Sequence, residues 1–148
     1  MRDVKYTQTV NASAVEAFEK IADFKSFESH CQAVISVDVT EINETESEST
    51  WLVHFHDGKM SWRERDIFNK SDLKIEFTQI EGDADIFEGF WSIEALSEGQ
   101  CTVTFDARFC MGIPTLADIL EPIAESAIKQ NVEQMLSELF ASQQEAVA

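Results

Sequence analysis

Apolar and polar residues alternate through 4-VKYTQTV-10, the two-residue period of a strand with one buried face. The period changes at Ser13. That serine stands as a helix N-cap, Glu16 follows three positions later, and Val15, Phe18 and Ile21 recur at near-helical spacing. A helix to about Asp23 is predicted, with a second short one over 24-FKSFESH-30. Six runs rich in β-branched and aromatic residues follow: 33-AVISVDVTEI-42, 50-TWLVHFH-56, 60-MSWRERDIF-68, 73-LKIEFTQI-80, 86-IFEGFWSIEAL-96 and 101-CTVTFDARFCM-111. Turn signals separate several of them: Asp57-Gly58, Lys70-Ser71-Asp72, Glu81-Gly82-Asp83 and Glu98-Gly99. The acidic stretch 43-NETESEST-50 reads as a loop. Connections this short imply an antiparallel meander.

Helical spacing returns near the C-terminus, where Leu116, Ile119, Leu120, Ile123, Ala127, Val132, Met135, Leu136 and Leu139 recur at three and four. Pro122 fits the first turn of a helix but not its middle. A helical turn from about Thr115 and then a long helix from about Glu121 to Ser142 are expected, with a frayed tail over 141–148. The fold class is therefore α+β, in one domain spanning 1–148. A curved seven-stranded antiparallel sheet wraps one long C-terminal helix, with two short helices after the first strand. One helix does not fill such a sheet along its full length, so a cavity between the two is expected. Val103, Phe105, Ala107, Phe109 and Met111 share one face of the last strand, and Phe87, Gly89, Trp91 and Ile93 one face of the strand before it.

Composition narrows the partners. A net charge of −17 over 148 residues disfavours nucleic acid and anionic membrane surfaces. Five of the eleven Lys and Arg residues fall between Lys59 and Lys74, so positive charge is concentrated there. Cys31, Cys101 and Cys110 are odd in number and widely spaced, which speaks against a disulfide framework. The opening MRDVKYTQTV has no apolar run of signal-peptide length, and no stretch approaches the ~18 apolar residues of a membrane span. A soluble cytoplasmic protein is the expectation. No cofactor is implied, since the sequence has no glycine-rich phosphate loop and no metal-ligand cluster.

The element order, with 62-WRERDIF-68, 79-QIEGDADIFEGFWSIEAL-96 and 101-CTVTFDARF-109, resembles the helix-grip fold of the START-like superfamily. Within it, the chain is similar to the polyketide cyclase/dehydrase and coenzyme Q-binding branch. Glu64-Arg65 matches the Glu-Arg strand end of that branch. Glu81-Gly82, Phe87-Glu88-Gly89 and Trp91 match its following stretch, with Asp83-Ala84-Asp85-Ile86 in place of a compact Gly-Pro-Phe turn. The resemblance implies a hydrophobic small-molecule ligand. In the leading reading it is a poly-β-ketone or polyphenol that the protein cyclises; in the alternative it is a prenylated quinone or other lipid that the protein carries.

By the resemblance, Arg65 is the catalytic candidate. Its guanidinium would polarise a carbonyl and stabilise the enolate of an aldol cyclisation. Arg63 and Ser61 lie on the same strand face. Arg63, Gln79, Phe87, Trp91, Phe105, Phe109 and Met135 are the substrate-binding candidates. Strand alternation leaves open which face is concave, because Trp62 and Phe68 share the face opposite the arginines. The other reading of Arg63 and Arg65 is a surface pair answering the many carboxylates. Polyketide intermediates ride on acidic acyl carrier proteins, which the Lys59–Lys74 region would have to dock. His54 and His56 share a strand face but have no third metal ligand. His30-Cys31 has no third member to complete a nucleophilic set. Trp51 and Trp62 are core residues by default.

Overall fold

The structure is a computed structural model that describes residues 2–55, 58–111 and 117–141. His56, Asp57, Thr115 and Leu116, the side chains of Ile119 and Leu120, the expected helix end at Ser142 and the tail beyond it lie outside the described residues. Strand β1 (Arg2–Val10) leads into α1 (Ala14–Ala22), a 3-10 turn (Phe24–Ser26) and α2 (Phe27–His30). Then come β2 (Val34–Glu41), β3 (Glu46–Phe55), β4 (Gly58–Asn69), β5 (Lys74–Gly82), β6 (Ile86–Ser97), β7 (Gln100–Cys110) and α3 (Ala117–Leu139). The sheet runs β1-β7-β6-β5-β4-β3-β2, antiparallel throughout. Strands β2 to β7 form the expected meander. The first strand pairs with the last, and α1 and α2 carry the chain from one sheet edge to the other.

Local chemistry explains the elements. Ser13 caps α1: its Oγ accepts from the Glu16 N–H at 3.2 Å and donates to Glu16 Oε1 at 2.9 Å. The buried stripe of α1 is Ala14, Ala17, Phe18 and Ile21, a clean i, i+3, i+4, i+7 set. Val15, expected on that stripe, is exposed. Strand β3 starts at Glu46, inside the stretch read as a loop. Ser47 and Ser49 alternate inward there and are buried, so their polarity disguised a strand. The connection shrinks to a tight turn in which Asn43 Oδ1 accepts from the Thr45 and Glu46 N–H groups, both at 2.9 Å.

Helix α3 also departs from expectation. It is continuous through Pro122 rather than restarting at Glu121. A proline at its sixth position forgoes one intrahelical hydrogen bond, and the burial of the apolar stripe carries the helix across. That stripe is Ala124, Ile128, Val132, Met135, Leu136 and Leu139, continued by Phe140; Ile123 faces outward. Among the described residues no helix is long and apolar enough to cross a membrane.

Three register shifts bend the sheet, between Val34 and Ser36, Arg63 and Glu64, and Ala95 and Ser97. Gly89 marks another close approach. It pairs with Phe77 on one side and Ala107 on the other. A Cβ there would overlap the Asp106 carbonyl oxygen and lie 2.6 Å from the Ala107 Cα. The glycine thus serves the neighbouring backbone rather than making room beside the aromatics. Gly89→Ala is expected to destabilise the protein by about 1–3 kcal/mol, measured by urea unfolding.

Candidate functional site

The two-residue period places Trp51 and Val53 of β3, Met60, Trp62 and Glu64 of β4, Phe77 of β5, Phe87 and Trp91 of β6 and Phe105 of β7 on one face. Ile128, Asn131, Val132 and Met135 of α3 close over them, and a cavity of about 60 Å³ remains. Its aromatic walls are mutually braced. Trp51 and Trp62 stack with ring centroids 6.0 Å apart and planes 5° from parallel. Phe87 stands edge-on to Trp62 at 5.3 Å, and Trp91 edge-on to Phe105 at 4.8 Å. At one side Asn131 Nδ2 donates to the His54 carbonyl at 2.7 Å, tying α3 to β3.

The polar part of this site is a pair of buried carboxyls. Glu64 is 5% exposed and Asp66 0%. Trp51 Nε1 donates to Ser49 Oγ at 2.9 Å, and Ser49 Oγ donates to Asp66 Oδ2 at 2.6 Å. From the other side Trp62 Nε1 donates to Glu64 Oε1 at 2.6 Å. Burial pushes the Glu64 carboxyl well above the ordinary carboxylate range, and its hydrogen bond to Asp66 and that group's charge push it further. Burial also raises Asp66, against hydrogen bonds from Glu64 and Ser49 that hold it down. Of the two, Glu64 is the one pushed further toward the neutral acid.

The sequence candidates divide. Phe87, Trp91, Phe105 and Met135 line the cavity. Phe109 is fully buried in the core without lining it. Gln79 pairs across the strands with Glu64; its Nε2 donates to the Ala84 carbonyl at 2.8 Å, and its Oε1 is buried without a partner. Arg65 and Arg63 are on the opposite face. Arg65 lies 3.2 Å from Glu46 and 3.7 Å from Glu48, and Arg63 lies 3.5 Å from Glu81. The carry-over of a carbonyl-polarising role to Arg65, and of substrate contact to Arg63, fails on this geometry. Met60, Trp62 and Phe68 turn inward with Glu64 and Asp66, and alternation throws the arginines out. The β4–β5 irregularity places its extra residue, Ile80, on β5, so the faces of β4 stay as they were.

The same ion pairs, with Lys74–Glu76 at 3.5 Å, compensate much of the positive charge in the Lys59–Lys74 region. His54 is exposed, and His30 and Cys31 diverge. His30 bonds the Ser26 carbonyl at 2.9 Å, whereas the Cys31 thiol is buried, donates to the Met135 carbonyl at 3.6 Å and is pushed up to about 12 by burial. That thiol is no nucleophile. Among the described residues no three His, Cys, Asp or Glu side chains converge as metal ligands.

Two outcomes follow. Arg65→Ala removes exposed ion pairs only, so it should change stability by less than about 1 kcal/mol and leave cavity binding unaltered, read by thermal melting and ligand titration. Glu64→Gln should alter the pH dependence of stability. The Glu64 pKa is raised in the fold, so its contribution is complete below its ordinary value of 4.5 and is lost as pH rises through the raised folded value. The glutamine variant escapes that loss. Its melting temperature relative to wild type should climb between pH 4.5 and neutrality; parallel curves would contradict the buried acid.

The architecture matches known structures over its whole length. A protein from Thermus thermophilus superposes with a TM-score of 0.88 at 21% identity, covering 99% of this chain and 100% of that one. The Zhui aromatase/cyclase from a Streptomyces species also gives 0.88, at 17% identity, covering 99% and 96%. A START superfamily protein from Mycobacterium smegmatis gives 0.80 at 14%, covering 95% and 97%. At these identities the likeness speaks for the helix-grip fold alone. No curated protein sequence matches the chain. The sequence pattern described as polyketide cyclase / dehydrase and lipid transport matches residues 10–136, most of the chain, and the protein belongs to that family.

Proposed function

We propose that the protein binds a flat polyphenolic or poly-β-ketone molecule between sheet and α3 and promotes its aldol cyclisation. The observation that carries this is an aromatic cavity into which one carboxyl, Glu64, projects, its pKa raised by burial. Aromatic walls suit a molecule that is becoming planar, and exclusion of water limits stray condensations. A carboxyl with a raised pKa is suited to proton transfer near neutrality. The arginine that the family resemblance would have used is not available for this work, so any acid–base chemistry falls to the carboxyl pair.

A second reading, non-catalytic carriage of a prenylated quinone or other lipid, is favoured by a lining that is apolar except for Glu64 and Asn131. In either case the roughly 60 Å³ cavity is too small for a ligand of several rings. Binding therefore requires Met135 and the half-buried Trp62 to move, with some displacement of α3.

All three tryptophans of the chain line the cavity, so their fluorescence reports its occupancy directly. Titration with a flat polyphenol should quench it saturably, and Phe105→Ala should weaken that binding about tenfold. Preferential saturation by a prenylated quinone would select the carrier reading, and silence toward both ligands would discard ligand binding altogether.

A further inference from the structure

Hydrogen-bond bookkeeping at the cavity floor shows an excess of acceptors. Glu64 and Asp66 present four carboxyl oxygens. The side-chain donors that reach them are the Trp62 indole N–H and the Ser49 hydroxyl. Asp66 Oδ1 and Gln79 Oε1 are buried with no partner among the described residues. Asp66 and Gln79 lie outside the cavity lining, whereas Glu64 faces into it. No Lys, Arg or His side chain is among the residues lining the cavity. The neighbouring positive charges, Arg63 and Arg65, are committed to Glu81, Glu46 and Glu48 on the far face.

Glu64 is the carboxyl that lines the cavity, and it takes the Trp62 indole N–H at one oxygen, so a ligand that brings a donor meets a buried acceptor with capacity to spare. The walls fix the rest of the ligand: an aromatic plane between Trp62, Phe87 and Phe105, with its polar substituent toward Glu64. We infer that the Glu64–Asp66 pair is a hydroxyl-recognition site, which accepts a hydrogen bond from a phenolic or enolic O–H of the molecule in the cavity. Glu64 makes the contact; Asp66, behind it, is a positioning residue. The site selects donors of this kind over their O-methylated counterparts, and it repels carboxylate ligands, which add an uncompensated charge. In a quinone/quinol couple it favours the quinol.

This inference rests on the reading that the cavity takes an aromatic ligand, and the test separates the two. The probes are 2-naphthol, 2-methoxynaphthalene and 2-naphthoate, titrated by tryptophan fluorescence at neutral pH. The first two share shape and ring, and only the naphthol offers an O–H. A hydrogen bond is worth ~0.5–1.5 kcal/mol net and a buried acceptor left without a donor costs more, so the naphthol should bind severalfold tighter than its methyl ether. Naphthoate should bind weakest. Glu64→Leu should erase the naphthol preference, bringing the naphthol and its methyl ether to the same affinity. Asp66→Asn should reduce the preference and shift its pH profile, a change that loss of packing alone would not produce. Near-isosteric Glu64→Gln, checked for an intact melting transition, guards against a folding defect: it keeps a weaker, neutral acceptor and should retain part of the preference. Equal binding of naphthol and ether to wild type, or a preference that survives Glu64→Leu, overturns the hydroxyl site while leaving the cavity reading intact. No binding by any probe removes both.

Discussion

The arrangement depends on which way β4 faces. Trp62 stacks on Trp51 of β3, and Met60 and Phe68 are packed with the same core. Their combined apolar burial fixes the even-numbered face inward at roughly 25 cal/mol per Å², more than a pair of charged side chains can oppose. A slip of one residue would bury two guanidinium groups and expose the indole. Once the face is fixed, Glu64 and Asp66 have nowhere to go but inside.

Their burial is tolerable because the same aromatic residues supply the donors. The Trp62 and Trp51 indoles are wall and hydrogen-bond source at once, the second acting through Ser49. Two buried like charges would still be prohibitive, and burial accordingly pushes both carboxyls, Glu64 furthest, toward the neutral acid. Conformational uniqueness alone would be served as well by apolar residues here, which is why the pair reads as functional.

The outer face of the sheet solves a different problem. With a net charge of −17, carboxylates crowd every surface. Arg63 and Arg65 stand between Glu46, Glu48 and Glu81 on adjacent strands and relieve that repulsion where the strands bring like charges together. Each pair is exposed and weak, yet together they hold the positive charge of the chain in structural service.

The sequence by itself determined the element order, the antiparallel meander, the long C-terminal helix and the aromatic wall of Phe87, Trp91 and Phe105. These follow from local periodicity, and each burial choice there is repeated along a whole element. Glu64 and Asp66 were legible only in outline: they alternate in register with Trp62 and Phe68, but a charged residue framed by aromatics reads as exposed until its donors are known. The donor to Glu64, Trp62, is on the same strand, but the donor to Asp66, Ser49, lies on β3, and part of that strand was hidden by its own polarity. Which side of β4 is concave, whether Arg65 faces the cavity or the solvent, and which carboxyls are buried are decided by strand pairing and by α3 closing over one face. Such properties depend on distances between residues far apart in the chain, and only the tertiary structure sets those.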